Sequence, residues 1–230
     1  MTAAGGPAAR PWPDRLAVRP GAVVLDCDGL LVDTEPSWER VEEELFVRRG
    51  LPYGQPERAG FLGLSVADSA ARMAVAFDEH GHERQLYDEM LAQVRVLLER
   101  DARAMPGAVE LVAGLSARDV PLAVASNSPR VVVEFALALA GLDGAFAAVV
   151  TADDVALPKP APDPYLVACA ALGVAPATAV AFEDSATGAA AATAAGLAVV
   201  GIPTHPGDLD VAWQLPSLTD PALAEWLGSW

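Results

Sequence analysis

The chain has 230 residues, 53% of them hydrophobic, so it can bury a core in one large or two modest domains. Its formal net charge of −16 disfavours nucleic acid and anionic membrane surfaces as partners, because both repel an acidic protein. No stretch is long and apolar enough to predict a transmembrane helix.

The N-terminal residues are rich in Ala, Gly, Pro and Arg and lack the continuous apolar run of a secretion signal. We therefore expect residues 1–20 to form a disordered tail. The two cysteines, Cys27 and Cys169, provide no disulfide framework, which favours a reduced, cytoplasmic protein. The sequence does not specify an oligomeric state, and we expect a monomer.

The first element after the tail is an apolar run at 22–25, which predicts a buried strand. Asp26 and Asp28 follow it directly, and because strand side chains alternate, both can point to the same face. Two carboxylates packed together repel each other and lose solvation. A divalent cation, or a proton on one of them, would remove that cost, so this strand end predicts a site for chemistry.

The next stretch, residues 37–103, contains three helical stripes and no convincing strand. Its apolar residues recur at helical spacing over 38–45, 66–77 and 86–97. We interpret it as a helical cap domain inserted after the first strand, with the core formed by residues 21–36 and 104–230. A cap over the strand ends would exclude water and select the substrate. A helical subdomain that only stabilises the protein is the alternative.

Apolar runs then alternate with helical patterns. The runs lie at 122–125, 146–150, 179–182 and 197–202, and the helical patterns at 131–140, 165–172 and 186–195. This alternation is typical of an α/β fold with a doubly wound parallel sheet. In such sheets, ligands bind beyond the carboxyl ends of the strands.

Polar residues follow these strands, as that rule requires. Ser126 and Asn127 come after the second strand, Lys159 after the third, and Glu183 and Asp184 after the fourth. Lys159 is the only lysine and Asn127 the only asparagine of the chain. A lysine is a compact point charge suited to a phosphoryl oxygen, whereas the alternative for a single lysine is a solvated surface charge. We favour the functional interpretation and expect all four strand ends to meet in one crevice.

The four motifs, at 26–35, 126–128, 159–160 and 183–188, together resemble the haloacid dehalogenase-like hydrolase superfamily. The resemblance covers residues 21–205 and is to the group related to β-phosphoglucomutase and small sugar phosphatases. It implies a Rossmann-like core with a helical cap inserted after the first strand. It also implies that the substrate is a small phosphorylated metabolite.

The resemblance implies a role for each motif residue. Asp26 would attack phosphorus and form an aspartyl-phosphate, and Asp28 would act as general acid and then general base. Ser126, Asn127 and Lys159 would hold the phosphoryl oxygens and offset negative charge in the transition state. The catalytic set is therefore Asp26, Asp28 and Lys159.

Mg²⁺ is the cofactor that the resemblance implies. Asp26, the backbone carbonyl of Asp28 and Asp184 would supply oxygen ligands, which this hard cation prefers, with Glu183 as a further direct or indirect partner. The metal and Lys159 together would allow an acidic protein to bind an anionic substrate.

Residues of the predicted cap help to distinguish a phosphatase from a phosphomutase. We expect Trp38, Gly63, Leu64 and Ser65 to face the leaving group. β-Phosphoglucomutases typically carry His where Trp38 stands and Arg where Val66 stands, so a phosphatase acting on a sugar phosphate is favoured. A phosphomutase and a catalytically silent protein that binds a phosphorylated ligand are the alternatives.

Overall fold

The computed structural model describes residues 13–204, 209–211 and 213–230, in which six strands form one parallel sheet in the order β3-β2-β1-β4-β5-β6. The strands are β1 (Ala22–Leu25), β2 (Leu122–Ala125), β3 (Ala148–Val150), β4 (Ala179–Glu183), β5 (Ala198–Gly201) and β6 (Trp213–Gln214). In this register, Leu25 is level with Val124 on β2 and with Phe182 on β4. The predicted doubly wound parallel sheet is confirmed, and β6 is a strand that the sequence analysis missed.

Helices cover both faces of the sheet, as the doubly wound arrangement requires. The core helices are α5 (Ala108–Ser116), α6 (Arg130–Leu139), α7 (Asp163–Ala171), α8 (Ala186–Ala194) and α9 (Pro221–Gly228). Alternate residues of β1 point to opposite faces: Val23 and Leu25 pack in the cluster that includes α5, α6 and α9. Ala22 and Val24 pack in a second cluster with α7 and α8. Because both faces are apolar, the strands are continuous hydrophobic runs.

Four of the five helices between β1 and β2 form the cap. They are α1 (Glu35–Arg48), α2 (Gln55–Ala59), α3 (Val66–Ala76) and α4 (Glu83–Asp101). The three predicted apolar stripes face inward, with Leu45, Met73 and Val94 fully buried. The cap boundaries at residues 37 and 103 stay a prediction. The first cap helix, α1, begins two residues before the predicted boundary, at Glu35.

Two chain segments, side by side, join the cap to the core. The Asp33 N–H donates to the Arg103 carbonyl oxygen over 2.9 Å, and the Met105 N–H donates to the Leu31 carbonyl oxygen over 2.9 Å. These bonds place both cap connections immediately beyond the end of β1. The cap is therefore held over the carboxyl ends of the strands.

The predicted disordered tail is wrong for residues 13–20, while residues 1–12 lie outside the described residues. Leu16 is 1% exposed, and its carbonyl oxygen accepts a 2.6 Å hydrogen bond from Trp226 Nε1–H on α9. The Arg15 guanidinium donates to the carbonyl oxygens of Ala177 and Gly196. The segment is ordered because it gains an apolar site and backbone acceptors on the core. None of the described helices is long and apolar enough to cross a membrane.

Truncation of Leu16 tests this packing. Leu16→Ala is expected to lower the free energy of unfolding by about 2–4 kcal/mol, because it leaves a cavity in the core. Val18→Ala is the matched control, since Val18 is 60% exposed two residues away. Urea unfolding of the two variants measures the difference, and equally small losses would contradict the packed segment.

Candidate active site

The loops after the central strands and one face of the cap enclose a cavity. Of the predicted site residues, it is lined by Asp26, Asp28, Trp38, Gly63, Leu64, Asn127, Lys159 and Asp184. Because β1 lies between β2 and β4, the segments that follow these three strands converge at one edge of the sheet. Lys159, which follows β3, lines the same cavity, so residues from four strand ends meet there as predicted.

The single lysine is buried between two carboxylates. Lys159 is 5% exposed, and its Nζ donates to Asp26 Oδ1 over 2.6 Å and to Glu183 Oε1 over 2.6 Å. The Tyr165 hydroxyl also donates to Glu183, and the Tyr165 ring centroid lies 5.1 Å from Nζ. The alternative of a solvated surface charge is thus wrong for Lys159.

The charge of this lysine is secured by its neighbours. Burial lowers the pKa of Lys159, but the carboxylates of Asp26 and Glu183 outweigh burial and hold that pKa well above its ordinary value. Lys159 therefore remains an ammonium ion. Loss of either carboxylate would leave a buried charge without a full partner.

The acids around Lys159 carry more negative charge than one ammonium can offset. Burial raises the pKa of Asp26 to about 8, against the influence of Lys159 and with further upward contributions from Glu183 and Asp28. Burial and the neighbouring Asp26 likewise raise the pKa of Asp184. A cation added to this cluster would favour the ionised carboxylates.

The donor set fits a hard divalent cation. One carboxylate oxygen from each of Asp26, Glu183 and Asp184 lies within 4.8 Å of the other two, and all three residues are buried. An all-oxygen set of this kind suits Mg²⁺. The described residues thus include an acidic cluster where the sequence predicts one.

Glu183 and Asp184 differ in position although they are adjacent. Glu183 is fully buried, and its oxygens accept from Lys159, Tyr165 and Ser185. Asp184 lines the cavity, and the Thr204 hydroxyl donates to its Oδ2 over 2.7 Å. Glu183 is therefore engaged in holding Lys159, whereas Asp184 faces the space where a ligand would lie.

Asp28 is held by a hydroxyl group at each oxygen. The Thr34 hydroxyl donates to Oδ1 over 2.7 Å, and the Ser126 hydroxyl donates to Oδ2 over 3.0 Å. The Ser126 Oγ in turn accepts from the Ser128 N–H over 3.0 Å. Ser126 is fully buried and lies outside the cavity lining formed by the described residues. Its side chain orients Asp28, and its contact with a phosphoryl group stays a prediction.

Asn127 joins the lysine segment to the cap. Its Nδ2 donates to the carbonyl oxygens of Lys159 (2.9 Å) and Gly63 (3.1 Å), and its Oδ1 accepts from the Lys159 N–H over 2.8 Å. Gly63 has a φ of +73°, and a Cβ at this position would lie 2.8 Å from Thr187 Oγ1. A glycine is needed there because the cap loop passes close to the core.

The cap contributes residues beyond those predicted. Ser65 is 4% exposed and lies outside the cavity lining; its hydroxyl accepts from the Asp68 N–H and caps α3. Glu35, Glu39, Glu42 and Arg58 line the cavity and were missed. A signal for Glu42 was present, because an acid at this position interrupts the apolar stripe of α1.

Gly188 permits the arrangement of Glu183, which an added methyl group would disturb. A Cβ at position 188 would lie 2.0 Å from Glu183 Oε1. We expect Gly188→Ala to lower the free energy of unfolding by about 1–3 kcal/mol, because it displaces the partner of Lys159. Gly228→Ala is the control, since a Cβ there meets nothing within 4 Å. Similar thermal stabilities of the two variants would refute this expectation.

The raised pKa of Glu42 predicts that its contribution to the stability of the fold depends on pH. Burial raises its pKa to about 7 in the folded protein, so between the ordinary value of 4.5 and about 7 the folded state binds more protons than the unfolded state. Rising pH therefore destabilises the fold through this group. From pH 5 to pH 8, Glu42→Gln should gain roughly 1–3 kcal/mol of stability relative to wild type.

Urea unfolding at the two pH values measures this change. Glu43→Gln is the matched control, because Glu43 is an exposed glutamate on the same helix. A gain that is equal for the two variants would assign the effect to the net charge of the helix, against the expectation for Glu42.

Comparison with known proteins agrees with this geometry. The family model for haloacid dehalogenase-like hydrolases matches residues 20–196. A validoxylamine A 7′-phosphate phosphatase from Streptomyces hygroscopicus subsp. limoneus is 34% identical over 181 residues, which cover 79% of this chain and 84% of that protein. Hexitol phosphatase B from Escherichia coli K12 is 31% identical over 214 residues, covering 90% and 96% of the two chains.

A solved structure supports the same relationship. The crystal structure of CbbY from Rhodobacter sphaeroides in complex with phosphate has a TM-score of 0.77 and 26% identity, and the match covers 88% of this chain and 96% of that one. The family match spans strands β1 to β4 and the cap, and includes all four motifs that meet in the cavity. The chain therefore belongs to the haloacid dehalogenase-like hydrolase family.

Proposed function

We propose that this protein is a Mg²⁺-dependent phosphatase that hydrolyses a small phosphomonoester, with sugar phosphates as the expected class. The observation that carries the proposal is the position of Asp26. Its carboxylate lines the cavity, contacts the buried Lys159 ammonium at 2.6 Å, and lies near Asp28, whose carboxylate is fixed by two hydroxyl groups. The phosphatase names of the relatives support the same reaction.

Two displacements at phosphorus would make up the reaction. In the first, an Asp26 oxygen attacks phosphorus, the bond to the leaving oxygen breaks, and Asp28 donates a proton to that oxygen. In the second, Asp28 removes a proton from water, which attacks the aspartyl-phosphate and releases inorganic phosphate from Asp26. Lys159 offsets the negative charge on the transferred group throughout.

Mg²⁺ would be held by Asp26, Asp184 and the backbone carbonyl of Asp28, with Glu183 behind them as the partner of Lys159. When bound, the metal would offset the negative charge on the phosphoryl oxygens. Asp26 and Asp184 are the two carboxylates of the acidic cluster that also line the cavity, which supports their assignment as ligands.

The residues present disfavour the phosphomutase alternative. Trp38 and Val66 stand where mutases of this group carry His and Arg. Arg58 lines the cavity, but it is paired with Glu35 at 3.0 Å and with Glu39 at 2.6 Å, so its charge is already used. The cytoplasmic location and the monomeric state stay predictions; both cysteines are buried and free.

Phosphate release from a panel of sugar, polyol and glycerol phosphates and phosphoglycolate tests the proposal. Wild type with Mg²⁺ should release phosphate, EDTA should abolish release, and Asp26→Asn should lower kcat by about 10³-fold or more because the nucleophile is lost. Asp33→Asn is the control, since Asp33 is an exposed acid in the same loop. Release that persists in Asp26→Asn, or that proceeds fully in EDTA, would contradict the mechanism.

A further inference from the structure

The cap side of the cavity has its own charge pattern, distinct from that of the reaction centre. Three carboxylates and one guanidinium line it, contributed by Glu35, Glu39, Glu42 and Arg58. The first three belong to α1 and the last to α2. This part of the cavity faces the leaving group when the phosphoryl group lies at Asp26.

Arg58 does not present a free positive charge to a ligand. Its side chain is 11% exposed, and its two terminal nitrogens are divided between Glu35 (3.0 Å) and Glu39 (2.6 Å). A phosphate or carboxylate on the leaving group would have to displace one of these partners and then lie beside the displaced carboxylate. The guanidinium therefore orders the acids and leaves an excess of hydrogen-bond acceptors.

Glu42 extends the acceptor surface inward. It is 7% exposed, lines the cavity, and accepts a hydrogen bond from the Tyr53 hydroxyl. Burial disfavours the charged form of Glu42 and raises its pKa to about 7, and a nearby anion would disfavour that charged form further. A hydroxyl group can instead donate to its carboxylate form or accept from its acid form.

Apolar side chains complete this half of the cavity. Trp38, Phe61, Leu62, Leu64 and Met90 line it together with the acids. Such surfaces pack against carbon, as is typical of small-molecule sites with a few placed polar groups. A chain or ring of carbons that carries hydroxyl groups matches both the apolar lining and the acceptors.

We propose that the cap selects phosphomonoesters whose leaving group is an uncharged polyol, and that Glu39 and Glu42 disfavour a second anionic group while Arg58 holds Glu39 in position. The inference rests on the proposed function in one respect, since it places the phosphoryl group at Asp26. It adds the chemical class of the leaving group and the residues that determine it.

The test compares two ligands that differ at one carbon. Sorbitol 6-phosphate ends in a hydroxymethyl group where 6-phosphogluconate carries a carboxylate. Calorimetric titration of the Asp26→Asn variant with Mg²⁺ should show at least tenfold tighter binding of sorbitol 6-phosphate. Equal binding, tighter binding of 6-phosphogluconate, or binding of neither at millimolar concentration would overturn the inference.

A charge variant identifies the residues responsible. Glu39→Gln, added to the same background, removes one partner of Arg58 and should narrow the ratio of the two affinities at least threefold. Glu43→Gln is the matched control, because this exposed residue of α1 lies outside the cavity lining and should leave the ratio unchanged. An unchanged ratio in Glu39→Gln would remove the assigned role.

Hydrolysis of p-nitrophenyl phosphate by wild type separates the two proposals. If wild type hydrolyses this compound but sorbitol 6-phosphate and 6-phosphogluconate bind equally well, the selectivity is overturned and the phosphatase assignment stays in place. Selective binding of sorbitol 6-phosphate without hydrolysis of any phosphomonoester leaves the selectivity in place and overturns the phosphatase assignment.

Discussion

The Lys159 ammonium between Asp26 and Glu183 is the interaction on which the site depends. A buried ammonium is costly unless it is paired, and here two carboxylates contact it at 2.6 Å each. Much of the surrounding sequence maintains this pairing. Tyr165 donates to Glu183 from α7, and the absent side chain at Gly188 leaves space for the Glu183 carboxylate. Stability and reactivity therefore share the same few contacts.

The charged groups that line the cavity differ between the strand ends and the cap. At the strand ends, Lys159 offsets acids that a cation can further neutralise, which suits a phosphoryl group. Farther out, the Arg58 guanidinium is paired with Glu35 and Glu39, so carboxylates remain in excess on the cap side. An acidic protein can thus accept one phosphate in a defined place while its outer surface and its cap disfavour additional negative charge.

Strand-end reasoning was sufficient to predict five of the six strands and the convergence of Asp26, Asp28, Lys159 and Asp184, because buried parallel strands carry a strong local signal. Several features were not predicted, among them the two-residue strand β6. Arg58 lies on a five-residue helix, too short for a periodic pattern. Leu16 is ordered by Trp226, 210 residues away, a contact that no local pattern encodes. For Ser65, the spacing to Asp68 indicated a helix cap, and that interpretation was available beside the functional one.

The only asparagine of the chain has a mechanical consequence. The Asn127 amide binds both the backbone of Lys159 and the Gly63 carbonyl oxygen of the cap loop. The position of the cap loop is therefore coupled to the position of the Lys159 ammonium. Lifting the loop breaks the bond to Gly63 and frees one amide hydrogen at the mouth of the site. The amide that holds the cap loop would then have a hydrogen available for a phosphoryl oxygen.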